Sequence, residues 1–164
     1  MVLYPWVVLL HIVGAFLFAV SHGVAIWMVI QLPRERDRSR IAALLDLSSA
    51  SLGGLYLGLV LLLVGGIWAG LIGDWFAKVW IWLALVLVIG ISVVMYLAAT
   101  PYFRELRAAV GVRSQYGPKD APDLVPQSDA EVAAIAARSP QAVLTVAGVG
   151  GLVVILWLMV IKPF

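Results

Sequence analysis

The sequence has no cysteine and only two histidines in its 164 residues, and charged residues make up just 12% of it. Without cysteine there are no disulfides, no thiolate metal sites and no thiol chemistry. A soluble domain carries about 25% charged residues, whereas this chain has roughly half that share and is 63% hydrophobic. Its net charge of +2 is too small to imply a nucleic-acid partner. No nucleotide-binding glycine loop, long internal repeat or separate soluble domain can be found in it.

What is present is four apolar stretches, 4–31, 49–72, 76–99 and 141–161. Each is long enough to cross a bilayer, which takes about 20 predominantly apolar residues. The predicted fold class is therefore all-α: a polytopic membrane protein whose residues 1–164 form one four-transmembrane-helix bundle with short cytoplasmic amphipathic helices. The first stretch is expected to be a retained span. A signal peptide has positive charge ahead of an apolar region of about 7–15 residues; here the first basic residue, Arg34, follows a longer one.

Charge sets the expected orientation. Arg34, Arg36, Arg38 and Arg40 lie in one connection, and Arg104, Arg107, Arg113, Lys119 and Arg138 in the connection 101–140. These are nine of the eleven basic residues; only Lys78 and Lys162 lie on the other side. The positive-inside rule places both connections in the cytoplasm and both termini outside. In PRERDRSR the acids Glu35 and Asp37 interleave with the arginines, and the run is expected to sit against anionic headgroups, at about 1 kcal/mol per basic residue.

Local patterns refine the spans. Tyr4-Pro5-Trp6 opens the first with interface residues. RERDRSRIAALLD has helical spacing and predicts a surface helix leading into the second span. There Gly54, Gly58, Leu61 and Gly65 form one stripe, with GxxxG patterns at 54–58 and 66–70 that let helix backbones approach closely. The short turn IGDWFAK predicts an antiparallel hairpin of spans two and three, with Trp68, Trp75, Trp80 and Trp82 as an aromatic belt. PYFRELRAAV, with Tyr102, Phe103, Leu106 and Val110 at amphipathic spacing, predicts a helix lying on the membrane. The stretch 111–127, rich in proline and glycine, predicts an irregular connection. Ser128 and Glu131 make a capping box for a short helix, and Ser139-Pro140 is expected to cap span four, which carries Gly148, Gly150 and Gly151.

The two histidines, His11 and His22, both fall in the first span. Eleven residues apart, they differ by only about 20° around an α-helix and lie about 16 Å apart along it. They share a face, with Gly14, Ala15, Phe18 and Ala19 between them, but cannot hold one metal ion together. An ionisable group inside a span is a functional hypothesis by default. A proton relay lacks intramembrane carboxylates, voltage sensing and anion conduction lack intramembrane Arg or Lys, and Ser21 beside His22 points elsewhere than a triad needs. No span is broken near its midplane by proline, as transporter spans often are.

Two uses stay open. Histidine can fasten helices by hydrogen bonds across them. Alternatively, a neutral imidazole can ligate haem iron, with methionine as a known second ligand. By depth, Met95 and Tyr56 match His22, while Met159 and Trp68 match His11. A bis-histidine site would need a second copy of the chain.

The stretches LLHIVGAFLFAVSHG and WIWLALVLVIGI, with the four-span layout, resemble a family of uncharacterised bacterial integral membrane proteins. More distantly, the layout is similar to copper-resistance D proteins and HemJ-type protoporphyrinogen oxidases, whose first helix carries a histidine placed as Leu10-His11 is here. The latter resemblance implies haem b with His11 as its ligand, and the bacterial cytoplasmic membrane as its place. The arginine and lysine that accompany that histidine in the family's helices have no counterpart in this chain. The first expectation for function is a non-catalytic accessory or structural subunit of a larger membrane complex, its partners being lipids and other subunits or a second copy. The alternative is a redox protein binding haem b, or another tetrapyrrole, through His11 or His22, with Met95 or Met159 as candidate second ligands.

Overall fold

Pro5 opens the first helix, α1 (Tyr4–Gln31), in the turn where its missing N–H is not needed. In the computed structural model, which describes residues 2–113 and 124–164, a short 3-10 turn at Leu32–Arg34 then ends the span. The chain reverses on two acids. Glu35 accepts the backbone N–H groups of Arg36 and Asp37 at 2.8 and 3.0 Å. Asp37 caps α2 (Arg38–Ile72) by accepting from the N–H of Ser39 at 2.8 Å and of Arg40 at 3.2 Å. The carboxylates among the arginines thus act on the backbone first.

All regular structure among the described residues is helical, and four helices are long and apolar enough to cross a membrane. The chain has the expected multi-pass bundle architecture. Two of those helices are longer than expected. At 1.5 Å per residue, α2, with 35 residues, runs about 52 Å, and α3 (Val79–Val110), with 32, about 48 Å. A hydrocarbon core is about 30 Å thick. The segment 101–110, expected to lie on the membrane as a short helix of its own, is instead a continuation of α3, while the helix expected to lead into span two begins at Arg38 and is continuous with it as α2.

The reason is a core at that end of the bundle. Leu32, Ile41, Leu45, Tyr102, Leu106, Ala109, Val110, Val132, Ile135 and Ala136 pack into one cluster. Apolar positions that could have faced lipid are satisfied by each other. Helix α4 (Asp129–Ala137) completes the cluster and starts with the expected capping box: Ser128 donates its N–H to Glu131 at 2.9 Å and accepts from the Glu131 N–H at 3.4 Å. The Arg38 fork ties the start of α2 to this helix, reaching Asp129 at 2.7 Å and the Gln127 carbonyl at 2.6 Å. Gly111, at φ 83°, ends α3 with its N–H on the carbonyls of Arg107 and Ala108. Residues 114–123 of the expected irregular connection, Lys119 included, lie outside the described residues.

Within the spans, α1 packs chiefly on α2. The two backbones touch, because glycines alternate across the seam. A Cβ on Gly58 would lie 2.5 Å from the Phe18 nitrogen, and one on Gly65 would lie 2.6 Å from the His11 nitrogen. Gly14 of α1 meets the α2 backbone at Leu61 and Leu62, and Gly54 meets the Ser21 side chain. The stripe of Gly54, Gly58, Leu61 and Gly65 therefore seats an antiparallel neighbour from its own chain.

The other pair is α3 with span four, Gln141–Ile161. That span is not one regular helix: α5 (Gln141–Thr145) passes through a π-helical turn, Val146–Gly150, into α6 (Gly151–Ile161). Its start departs from expectation. Pro140 occupies the cap position with no side-chain bond, and the Ser139 hydroxyl instead donates to the Val29 carbonyl of α1 at 3.0 Å. At the far end Trp80, Ile81, Ala84 and Leu158 form a second cluster. Trp75 donates to the Tyr4 hydroxyl at 3.2 Å, and the Lys162 ammonium lies 4.1 Å from the Trp75 ring centroid.

The seam predicts a sharp contrast between glycines. Gly58→Leu forces a side chain into the α1 backbone, which cannot yield as a side chain does, and should cost about 1–3 kcal/mol or more. Gly53→Ala, where a Cβ meets nothing within 4 Å, should leave the melting temperature in detergent unchanged or raised. Equal melting of wild type and Gly58→Leu would mean that the seam does not hold α1 to α2.

Candidate functional site: the histidines of the first span

Both imidazoles contact protein, and they do so differently. His11 is half-buried and leans on the glycines of α2: a Cβ on Gly66 would lie 2.8 Å from its Nδ1. The ring fits there because residue 66 has no side chain. Its Nδ1 lies 2.7 Å from the Leu62 carbonyl oxygen. A carbonyl only accepts, so Nδ1 carries the proton and donates, and in the neutral ring Nε2 then holds the lone pair. His11 is thus a fastener across the α1–α2 seam whose second nitrogen is left as an acceptor or ligand.

His22 is buried, with 5% of its surface exposed. It stacks on Phe18, one turn earlier, at a centroid distance of 5.7 Å and an interplanar angle of 6°. Its Nε2 points at Gly148 in the π-helical turn, against the place a Cβ would take. Among the described residues this nitrogen has no hydrogen-bond partner. The close seat leaves no room for an iron atom between Nε2 and span four in this arrangement. A haem ligand at this position would require span four to move away.

The methionines lie on other helices than the histidines. Met159 packs against the cluster of Trp80, Ile81, Ala84 and Leu158 between α3 and α6. Met95 is half-buried on α3, a helix that packs on span four and hardly on α1. Among the described residues no hydrogen bond or ring contact joins any two of His11, His22, Met95 and Met159. Tyr56 and Trp68, the depth-matched aromatics of α2, are exposed. No group of three or more His, Asp or Glu among the described residues is arranged to hold a metal ion.

One polar residue was missed by reading the sequence. Arg107, 7% exposed, reaches from α3 to α2, where its guanidinium donates to the Leu45 carbonyl, to the Ser49 hydroxyl at 2.6 Å and to Asp46 at 3.3 Å. Its spacing did carry a signal. Arg107 follows Phe103 by four residues and precedes Val110 by three, so it belongs to the packed face of that helix.

Comparison with protein-family models, with curated proteins and with solved structures gives no match.

The two histidines should respond differently to replacement. His11→Ala removes a bond across helices, a contribution of about 0.6–1.7 kcal/mol in membrane proteins, and should melt earlier. His22→Leu removes a buried nitrogen without a partner among the described residues, a group that costs about 1–3 kcal/mol when unsatisfied. That variant should melt at or above the wild-type temperature. If it instead falls as far as His11→Ala, Nε2 has a partner in the working protein.

Proposed function

We propose that the chain is a non-catalytic helix-bundle subunit of a larger assembly in a bacterial cytoplasmic membrane. The observation that carries this reading is the set of glycines that the fold leaves unused. Gly23, Gly53, Gly90 and Gly150 lie on the four spans with nothing within 4 Å of a Cβ built on each. Glycine costs about 1 kcal/mol against alanine within a helix, and its use in membrane helices is to admit a second helix closely. Another subunit, or a second copy, is the natural user of these positions. The histidines serve this bundle as internal packing parts, His11 through Leu62 and His22 through Gly148.

Both termini face the outside of the membrane in this reading. The support is the nine-to-two distribution of basic residues, with the arginine-rich end inside. A reporter fused at Phe164 should give the extracytoplasmic signal, and a cytoplasmic signal would reverse the orientation.

The second reading, a haem b protein, is favoured by one feature of His11. Its Nδ1–H is fixed on a backbone carbonyl, the arrangement that orients imidazole ligands and leaves Nε2 for the metal. Of the two histidines, His11 fits such a group and His22, seated on Gly148, does not. When bound, the haem would supply one-electron redox chemistry, with His11 as its ligand and Met159 or Met95 as candidates for the second.

One preparation separates the readings. Extracted in mild detergent after growth with ample haem, the protein should be colourless and should run in a particle larger than a single chain. Gly53→Leu with Gly90→Leu should reduce that particle to single chains without lowering the melting temperature. A Soret band lost in His11→Ala and kept in His22→Ala would decide for haem; a colourless single-chain particle would defeat both readings.

A further inference from the structure

Between the end of α1 and the start of α2 lies a groove of about 590 Å³, lined by Gln31, Arg34, Glu35, Arg40, Leu44 and Leu47 among others. Its lining is ordered along the helix. Arg34 and Arg40 stand at the polar rim, and Leu44 and Leu47 follow toward the apolar part of α2, where Leu47 is 50% exposed. From Arg40 to Leu47 the α2 backbone rises about 10 Å. A phospholipid has the same order: phosphate, then glycerol, then acyl chain.

The charges in the groove are not consumed by the fold. Arg34 is exposed and makes no ion pair among the described residues, and Arg40 meets Glu35 only at 3.9 Å, with 73% of its side chain exposed. Glu35, the one acid in the lining, has an oxygen occupied by the N–H groups of Arg36 and Asp37. Those two N–H groups hold its carboxyl below the ordinary carboxylate range and balance part of its charge. By contrast, the neighbouring Arg38 is committed to Asp129 and Gln127.

We infer that this groove is a binding site for one anionic phospholipid, with its phosphate between Arg34 and Arg40 and an acyl chain along Leu44 and Leu47. Basic pockets at the ends of membrane helices take anionic headgroups in this way. The site rests on the membrane architecture alone and holds whether the chain is an accessory subunit or a haem protein.

The test is native mass spectrometry of the intact protein in detergent, titrated with phosphatidylglycerol, phosphatidylcholine or soluble glycerol phosphate. The wild type should retain one phosphatidylglycerol in preference to phosphatidylcholine and should not retain glycerol phosphate. Arg34→Gln with Arg40→Gln should weaken phosphatidylglycerol binding about thirtyfold, at the usual contribution of a basic residue near a membrane surface. Arg36→Gln with Arg104→Gln removes the same charge outside the groove and should change binding less than about twofold. Leu47→Asn keeps both arginines and should also weaken the lipid, because the apolar half of the site is lost. Each variant is first checked for an unchanged melting temperature without lipid. Equal retention of both lipids by the wild type, equal loss in both arginine pairs, or glycerol phosphate held as tightly as phosphatidylglycerol would overturn the site.

Discussion

The bundle depends on the direct contact of two helix backbones. In lipid, helices gain little from hiding apolar side chains, since the solvent is as apolar as they are. What remains is close packing, and it is closest where α1 and α2 meet with hydrogen in place of side chains at Gly14, Gly58 and Gly65. His11 owes its bond with the Leu62 carbonyl to that proximity, because its ring can approach the α2 backbone only over Gly66. The histidine does not create the seam; it exploits it.

The ends of the bundle are held by other means. At the arginine-rich end, α2, α3 and α4 share an apolar core with Leu32 of the 3-10 turn, and the polar residues at its margin join the same helices: Arg38 to Asp129 and Arg107 to Ser49 and Asp46. At the opposite end, rings and the Lys162 ammonium gather around Trp75 and Trp80. Between these ends, the pair α1–α2 and the pair formed by α3 with span four meet at few places, of which His22 on Gly148 is one.

Much of this was legible in the sequence. The four spans follow from uninterrupted apolar length, the α2 stripe from glycines at helical spacing, and the capping box from Ser128 and Glu131 at a spacing of three. The continuity of α3 through residues 101–110 was not legible, because an amphipathic segment shows the same pattern whether its apolar face meets lipid or another helix. The role of Ser139 was hidden for a similar reason: a serine before a proline fits a cap, and only its approach to α1 gives the hydroxyl the Val29 carbonyl instead. The histidines were legible as a shared face. Their different seats were not, since a spacing along one helix carries no information about which neighbour stands where.

The π-helical turn at Val146–Gly150 changes how span four is to be counted. Gly148, Gly151 and Leu158 are spaced by three and seven, which on an unbroken α-helix is a single stripe addressed to a single neighbour. A π turn adds about one residue to the winding, an offset of about 100° in phase for everything after it. Gly148 accordingly meets His22 of α1, while Gly151 meets Ile91 and Leu158 joins Trp80 on α3. The turn works as a splice: one stripe of sequence is divided between two helices, and a single span stitches the two halves of the bundle together.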